Sequence, residues 1–370
     1  MDEEQIVNRN QTLDVLKGIG IILMVVGHSG PPECLNDLIY TFHMPLFFIA
    51  SGWFFREQNL EDCRGFALRK IKNIYWPYLK WCFIFLLLHN VFYSIGVLNS
   101  SYGADGTVSH FYNIKEFVAN AFNFTFRMTS YEGYLLGAYW FVRSLLWGCL
   151  LLCFCSVLMS KITKLKERNC ILTVAAVFGI FGGALSGLNI LIPFWPQGGY
   201  REMMAVFFLG MGYMLRKQEW WKSQCFLISS MIIIPLSLSI EPTSLSTSPT
   251  FVMWLLIPFT SLAGYSIVYK LSHFIAQRQK KIAIVLSYIG RQTFYIMTFH
   301  FLMFKPASLL KAYICGLDLR VVGCHPVIPP DDNNWYWMVY SLTSIILSIT
   351  MAQIIECIPS PNLEKIFKRK

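Results

Sequence analysis

Two residues of the first apolar segment have side chains and a spacing that could serve group transfer. Lys17 and His28 are eleven residues apart within segment 13–29. In an α-helix, eleven steps amount to about 1,100°, which is about 20° beyond three full turns, so both side chains lie on one face. At about 1.5 Å per residue they are about 16 Å apart along the axis. One helix face therefore presents an ammonium group near one end and an imidazole near the other.

This arrangement suits an elongated donor with an anionic head and a reactive tail, which is the shape of acyl-CoA. The phosphates would lie near cations, and the thioester would reach His28. Imidazole has an unperturbed pKa of about 6.5, so it can accept a proton from a hydroxyl at neutral pH. The spacing alone favours a simpler interpretation, in which Lys17 extends to a polar interface and His28 is an ordinary helix-end residue.

Three further ionisable residues lie within or beside apolar segments. His43 begins the second segment, where it could orient an acceptor or His28, or could form a packing corner. Arg291 lies in the middle of segment 282–304 and must find an anion or a carbonyl partner. His300 follows nine residues later, about 180° round a helix, so Arg291 and His300 cannot face one pocket unless the helix bends.

The sequence contains no recognisable metal-binding, serine-nucleophile or P-loop motif. Its His, Cys, Asp and Glu residues form no cluster with zinc-ligand spacing. It contains neither a Gly-x-Ser-x-Gly elbow nor a P-loop. We therefore expect no metal cofactor.

Composition indicates that these residues lie in a membrane protein. Of 370 residues, 55% are hydrophobic, 16% are aromatic and only 14% are charged, whereas a soluble domain has about 25% charged residues. The net charge of +10 raises the possibility of nucleic-acid binding. The charges lie in short segments between apolar runs, however, and membrane topology explains this distribution better. We expect a lipid bilayer and no nucleic acid as partner.

The apolar runs predict an all-α transmembrane bundle that forms one domain over residues 1–370. A membrane-spanning helix needs about 20 mostly apolar residues. About ten candidate spans follow in order: 13–29, 38–55, 74–97, 138–159, 170–187, 200–215, 224–240, 251–269, 282–304 and 335–357. Lys and Arg are concentrated in alternate loops, which predicts cytoplasmic N- and C-termini. Seven of these basic residues fall at outer positions, among them Arg143, Lys305 and Lys311. Two long outer loops, 98–137 and 305–334, are candidates either for substrate binding or for a lid without a specific role.

Several motifs, in order along the chain, resemble those of the membrane acyltransferase-3 family. That family typically has a basic residue, ten residues, then His, as Lys17 and His28 are placed here. The stretches 42–52 and 69–78 are also similar to the family, and weaker similarities follow later in the chain. Lys17 and Lys72 stand where Arg is commoner, and Gln292 and Thr293 depart from the usual Asn-Ser. The resemblance spans nearly the whole chain, and its specific part is the first 80 residues.

The resemblance implies a role for each motif residue. It makes His28 the catalytic base or acyl carrier, and Lys17 the donor-facing cation. Arg69 and Lys72 would bind CoA phosphates, although positive charge at a cytoplasmic helix start has the same pattern. Substrate-binding or supporting roles would fall to His43, Trp140, Arg201, Arg291 and His300.

The expected function is transfer of an acyl group, acetyl from acetyl-CoA, to a hydroxyl of a saccharide, a lipid-linked glycan or a surface glycan. The chain is most similar to the family's sugar O-acetylases, those of fucose or nodulation factors. This implies a multi-pass protein of the bacterial inner (plasma) membrane. The acceptor could attack the thioester directly, or His28 could first carry the acetyl group. Two alternatives remain from the sequence: a secondary transporter that exports a sugar or glycolipid, and a non-catalytic membrane scaffold.

Overall fold

The structure, a computed structural model, describes residues 10–104, 107–129, 134–188, 190–193, 195–245, 250–329 and 335–357. Within these ranges the chain is mostly helical, with almost no β-strand, which confirms the predicted all-α fold. The helices are α1 Gln11–His28, α2 Glu33–Tyr40, α3 His43–Gly52, α4 Gln58–Glu61, α5 Cys63–Lys70, α6 Trp76–Ser94, α7 Ile114–Phe122, α8 Trp140–Thr163, α9 Glu167–Gly187, α10 Tyr200–Arg216, α11 Gln224–Ile240, α12 Phe251–Arg278, α13 Lys280–Arg291, α14 Thr293–Met303, α15 Lys305–Ile314 and α16 Tyr336–Cys357.

Shorter elements connect these helices. Two segments are π-helical. Ile71–Tyr75 connects α5 to α6, and Asn123–Arg127 follows α7. The first outer loop contains the antiparallel pair β1 Gly103–Ala104 and β2 Thr107–Val108, with Gly103 opposite Val108. Single 3₁₀ turns occur at Gly137–Tyr139, Pro196–Gly199, Trp220–Lys222 and Leu319–Gly323.

Length and apolar character identify the helices able to cross a membrane. Among the described residues five helices qualify: α1, α8 with its preceding 3₁₀ turn, α9, α12 and α16. A sixth is possible if α13 and the α14–α15 segment count as one span. Helices α10 and α11 have 17 residues each, fewer than the roughly 20 that cross a bilayer without tilt or thinning. The count of ten spans and the cytoplasmic termini stay predictions.

The second predicted span, 38–55, is interrupted. Helix α2 ends at Tyr40 and α3 begins at His43, because Phe42 has φ −145° and ψ −18°, which no helix can accommodate. The break brings the rings of Tyr40 and His43 together edge to face, with centroids 4.8 Å apart. Two side chains that flank the interruption therefore face the same part of the bundle.

The ninth predicted span, 282–304, is also interrupted, since α13 ends at Arg291 and α14 begins at Thr293. The chain bends by 78° between α13 and the segment Thr293–Ile314. Helix α13 crosses α1 so closely that a Cβ on Gly18 would lie 2.1 Å from the Leu286 carbonyl oxygen. A Cβ on Gly290 would lie 1.9 Å from the carbonyl oxygen of Asp14. Glycine at both positions permits backbone contact, which is a common basis of helix association in membranes.

Beyond the bend, α14 packs along α16. Gln292 donates from Nε2 to Glu356 Oε1 (3.0 Å) near the end of α16, and Ser344 Oγ donates to the His300 carbonyl oxygen (3.1 Å). Ser341 of α16 in turn donates from Oγ to Ser29 Oγ (2.9 Å), directly after α1. Helix α14 therefore carries His300 to the level at which α1 ends.

A buried ion pair joins α8 to α10. Arg143 Nε donates to Glu202 Oε1 (2.8 Å), and Ser144 Oγ donates to the same oxygen (2.8 Å). Arg143 and Glu202 are each 1% exposed. The sequence indicated Arg143 as an outer-end charge, but the structure places it in the helix interface, where breaking the pair would leave a buried charge uncompensated.

Candidate functional site

His28 is the last residue of α1, and three aromatic side chains surround it. The Tyr40 hydroxyl lies 3.2 Å from His28 Nδ1. The rings of His300 and Phe301, from α14, have centroids 5.5 Å and 5.0 Å from that of His28. The site is therefore assembled from α1, α2 and the segment beyond the bend, three parts of the chain that no sequence spacing relates.

Backbone carbonyls determine which nitrogen of the neighbouring histidines carries the proton. His300 Nδ1 lies 2.9 Å from the Met297 carbonyl oxygen, and His43 Nδ1 lies 2.8 Å from that of Ile39. A carbonyl can only accept, so Nδ1 is the donor in both rings and Nε2 carries a lone pair in the neutral form. His300 Nε2 is buried and has no hydrogen-bond partner among the described residues. This nitrogen could accept a hydrogen bond from a substrate bound beside His28.

The Tyr40 contact bears on the His28 tautomer. In the tautomer whose Nδ1–H donates to the Tyr40 hydroxyl oxygen, Nε2 of His28 has the lone pair and can accept a proton. The tyrosine then orients the ring and accepts a stronger hydrogen bond once the imidazole is protonated. This is the arrangement of a general base held by a second group.

A cavity of about 260 Å³ adjoins His28 on the bundle side. Its walls are mostly apolar, and its polar contributors include Tyr40, His43 and Arg201. The Arg201 guanidinium carbon lies 4.1 Å from the ring centroid of Trp140, which also lines the cavity. The structure thus brings together His28, His43, Trp140 and Arg201, four of the predicted site residues, around one space, with His300 against the His28 ring.

The predicted donor-binding cations lie elsewhere. Lys17, partly exposed, has its Nζ 3.9 Å from Asp14 Oδ1 and 5.3 Å from the ring centroid of Phe54. Arg69 is exposed and donates from Nη1 to Asp62 Oδ2 (3.2 Å), and Lys72 is exposed in the π-helical segment. None of these three cations is among the described residues that line the His28 cavity.

Arg291 is placed differently from the expectation. The sequence suggested a charge in the middle of a helix, but Arg291 is the last residue of α13 and is exposed, with its guanidinium carbon 5.7 Å from the Tyr288 ring centroid. The bend at Gln292 separates it from His300, which is fully buried. Of the residues after the bend, His300 lies against the His28 ring and Thr293 lines the His28 cavity.

A family model described as an acyltransferase domain matches residues 10–353 of this chain. The chain belongs to the acyltransferase-3 family. Comparisons with curated proteins and with solved structures gave no match. Together with the apolar helices, the family match makes the protein a membrane acyltransferase.

Two residues of this acyltransferase site were missed from the sequence. Tyr40 precedes His43 by three positions, so a helical reading of Tyr-x-x-His across the break could have placed both rings on one side. His325 comes from the second long outer loop, and its ring centroid lies 4.5 Å from that of Phe301. Burial, and then the neighbouring Lys305 and His28, lower the pKa of His325 to about 3, so its ring is neutral near pH 7. No local signal marks His325, since only tertiary folding brings that loop to α1.

Over the described residues, no three His, Cys, Asp or Glu side chains are grouped so as to hold a metal ion. Of the imidazoles at the site, those of His43 and His300 are each bonded through Nδ1 to a backbone carbonyl, and that of His28 contacts the Tyr40 hydroxyl.

Proposed function

We propose that this acyltransferase moves an acetyl group from acetyl-CoA to a hydroxyl of a saccharide, on a surface glycan or a lipid-linked precursor, in the bacterial plasma membrane. The observation that carries the proposal is the position of His28, at the end of α1 between Tyr40, His300 and a cavity of about 260 Å³. A small, mostly apolar space beside a potential base suits a short acyl group better than a long chain.

In the direct mechanism, His28 Nε2 takes the proton of the acceptor hydroxyl as its oxygen attacks the thioester carbonyl carbon. The carbon–sulfur bond then breaks, and the thiolate of CoA recovers the proton from the imidazolium. Tyr40 would accept a hydrogen bond from Nδ1–H throughout, and this bond strengthens when His28 is charged. His300 Nε2 would accept a hydrogen bond from the reacting groups beside it.

A second mechanism uses His28 as nucleophile. Its Nε2 would attack the thioester carbonyl carbon, and CoA would leave as thiolate from an acetyl-imidazolium that keeps its Nδ1 proton. The acceptor hydroxyl would then take the acetyl group and release neutral His28, and its proton would pass to the CoA thiolate. The same contacts serve both mechanisms, since each requires a lone pair on Nε2. A covalent acetyl-histidine, trapped when acetyl-CoA is given without acceptor, would favour the second.

The role of Lys17, Arg69 and Lys72 is proposed from charge. In the predicted topology all three are at the cytoplasmic side, where the phosphates of acetyl-CoA would enter. Lys17 lies about 16 Å from His28 along the axis of α1. An extended pantetheine arm can cover this distance, so a donor bound at Lys17 could present its thioester at His28.

The test is acetyl transfer by purified wild type, His28→Ala and His28→Gln, followed as acceptor-dependent release of CoA. Loss of a general base typically lowers the rate about 10²–10⁴-fold, and loss of an acyl carrier would lower it at least as much. His273→Gln is the matched control, because His273 stacks on Tyr269 with centroids 6.3 Å apart, away from the His28 cavity.

More than about a tenth of wild-type activity in folded His28→Ala would contradict a catalytic base at this position. Saccharide flux through proteoliposomes without acetyl-CoA, with no acetylated product, would instead support the transporter alternative.

A further inference from the structure

A second cavity, larger and more open, meets the first at His28. It has a volume of about 950 Å³ and is formed by the turn after α1, the start of α2 and the segment 325–329 of the second long loop. His28 and Tyr40 line both cavities and stand between them. We call the second cavity the outer groove, because both long outer loops meet beside it.

Buried lysines hold one wall of the outer groove in place. Lys305 Nζ donates to the Cys324 carbonyl oxygen (2.7 Å), and Lys311 Nζ donates to that of Pro329 (3.2 Å). These bonds come from α15 and flank the wall segment on both sides. His325 N also donates to the Gly103 carbonyl oxygen (3.1 Å), which joins the wall to the first outer loop. The groove is therefore built into the fold.

The polar groups of the outer groove are suited to hydroxyls. Glu33 offers a carboxylate that can only accept, whereas Asn36 can both donate and accept. His325 Nδ1 is buried and has no hydrogen-bond partner among the described residues. The remaining lining includes Pro31, Pro32 and other apolar surface. A few convergent polar groups on an apolar wall are typical of small-molecule sites.

Charge argues against the donor as the occupant. No Lys or Arg is among the described residues that line the outer groove, and Glu33 adds a negative charge. Acyl-CoA carries several phosphate charges, which a carboxylate would repel. A neutral molecule rich in hydroxyls meets no such repulsion, and its reacting hydroxyl could reach His28 at the inner end.

We propose that the outer groove is the acceptor subsite and that Glu33, Asn36 and His325 bind hydroxyls of an uncharged saccharide. The proposal rests on the acyltransferase function proposed above. It assigns the two cavities different substrates: the acyl group is delivered on the bundle side of His28, and the acceptor lies on the other.

The kinetic test compares Glu33→Gln, Asn36→Ala and the double variant with Asp37→Asn. Asp37 lies on the same short helix but does not line the groove. Losing two hydrogen bonds, one of them to a charged group, should raise the acceptor KM at least about ten-fold. We expect the KM for acetyl-CoA to stay within about two-fold of wild type, and Asp37→Asn to match wild type.

A binding test needs no turnover. Asn36→Cys is labelled with a membrane-impermeant maleimide in the presence of neutral oligosaccharides released from the cell surface, or of acetyl-CoA. Native Cys34, exposed on the same helix and outside the groove lining, reports on access to the surrounding surface. Oligosaccharide should slow labelling of position 36 but not of Cys34, and acetyl-CoA should slow neither.

The outcomes separate the two proposals. An unchanged acceptor KM in the double variant, a raised donor KM in its place, or protection of position 36 by acetyl-CoA alone would overturn the acceptor subsite. Absence of any acetyl transfer by wild type, with position 36 still protected by oligosaccharide, would instead overturn the acetyltransferase function and leave a saccharide groove.

Discussion

Tyr40→Phe tests the assembly of the site most directly, because it removes one oxygen and keeps the ring. The lost contact is the 3.2 Å hydrogen bond between the Tyr40 hydroxyl and His28 Nδ1. The phenyl ring can still pack edge to face on His43, at 4.8 Å between centroids. Any large change in activity would therefore come from the hydroxyl.

The magnitude follows from the charge that His28 gains in the reaction. A hydrogen bond to a charged group contributes about 1.5–3 kcal/mol. If that bond forms in full only when the imidazole is protonated, its loss raises the barrier by the same amount. The expected fall in kcat is then roughly 10- to 150-fold, with little change in the KM for acetyl-CoA.

The assay measures acetyl transfer by mass spectrometry of the acceptor, for Tyr40→Phe in wild-type and His28→Ala backgrounds. Because Tyr40 acts through His28, the substitution Tyr40→Phe should lower kcat in the wild-type background and leave the residual kcat of His28→Ala unchanged. Tyr340→Phe is the matched control, since it also removes a buried hydroxyl, one that lies 3.3 Å from Ser308 Oγ.

Two results would refute this reasoning. A loss below about two-fold in Tyr40→Phe would mean that the hydroxyl does not support a charged His28, because even a neutral hydrogen bond contributes about 0.5–1.5 kcal/mol. An equal further loss in the His28→Ala background would mean that Tyr40 acts independently, for instance on the acceptor.

Three other predictions concern the donor, the helix crossing and the topology. Lys17→Ala should weaken acetyl-CoA binding more than Lys17→Arg does, because arginine keeps the charge and adds donors. Equal acetyl-CoA affinities of wild type and folded Lys17→Ala, measured by calorimetry, would remove Lys17 from the donor site. Gly18→Ala should destabilise the detergent-solubilised protein by about 1–3 kcal/mol, because its Cβ would meet the Leu286 carbonyl, whereas Gly137→Ala places its Cβ 3.4 Å from the nearest atom and should preserve the melting temperature. A cysteine at Ser101 should be labelled from outside intact cells and one at Lys164 should not; the reverse would contradict the ten-span topology.

Several features of this protein could be predicted from the sequence because they depend on local composition. Apolar runs separated by basic loops predict a helical membrane protein, since backbone polar groups in lipid must be bonded within the segment. The Lys17–His28 spacing predicts a shared helix face, and the family resemblance was confirmed over residues 10–353. Both are properties of one segment or of motif order, and neither requires knowledge of packing.

The sequence was less informative about charges and breaks. Arg143, Lys305 and Lys311 read as outer positive charges, yet all three are buried and bonded to a carboxylate or to backbone carbonyls. Composition cannot distinguish a solvated cation from one that holds a loop to a helix, because the partner lies far away in the chain. The bends at Phe42 and Gln292 likewise occur inside apolar runs that look continuous.

The sequence by itself determined the chemical groups of this protein, the face on which Lys17 and His28 lie, and the helical character of what surrounds them. Only the tertiary structure decided which imidazoles meet. His300 reaches His28 because α13 bends away at Gln292 and α14 runs back along α16, and His325 arrives on a loop held by two buried lysines. The physical reason is that periodicity relates residues within one helix, whereas a site formed by three separate segments depends on long-range contacts that no local pattern encodes.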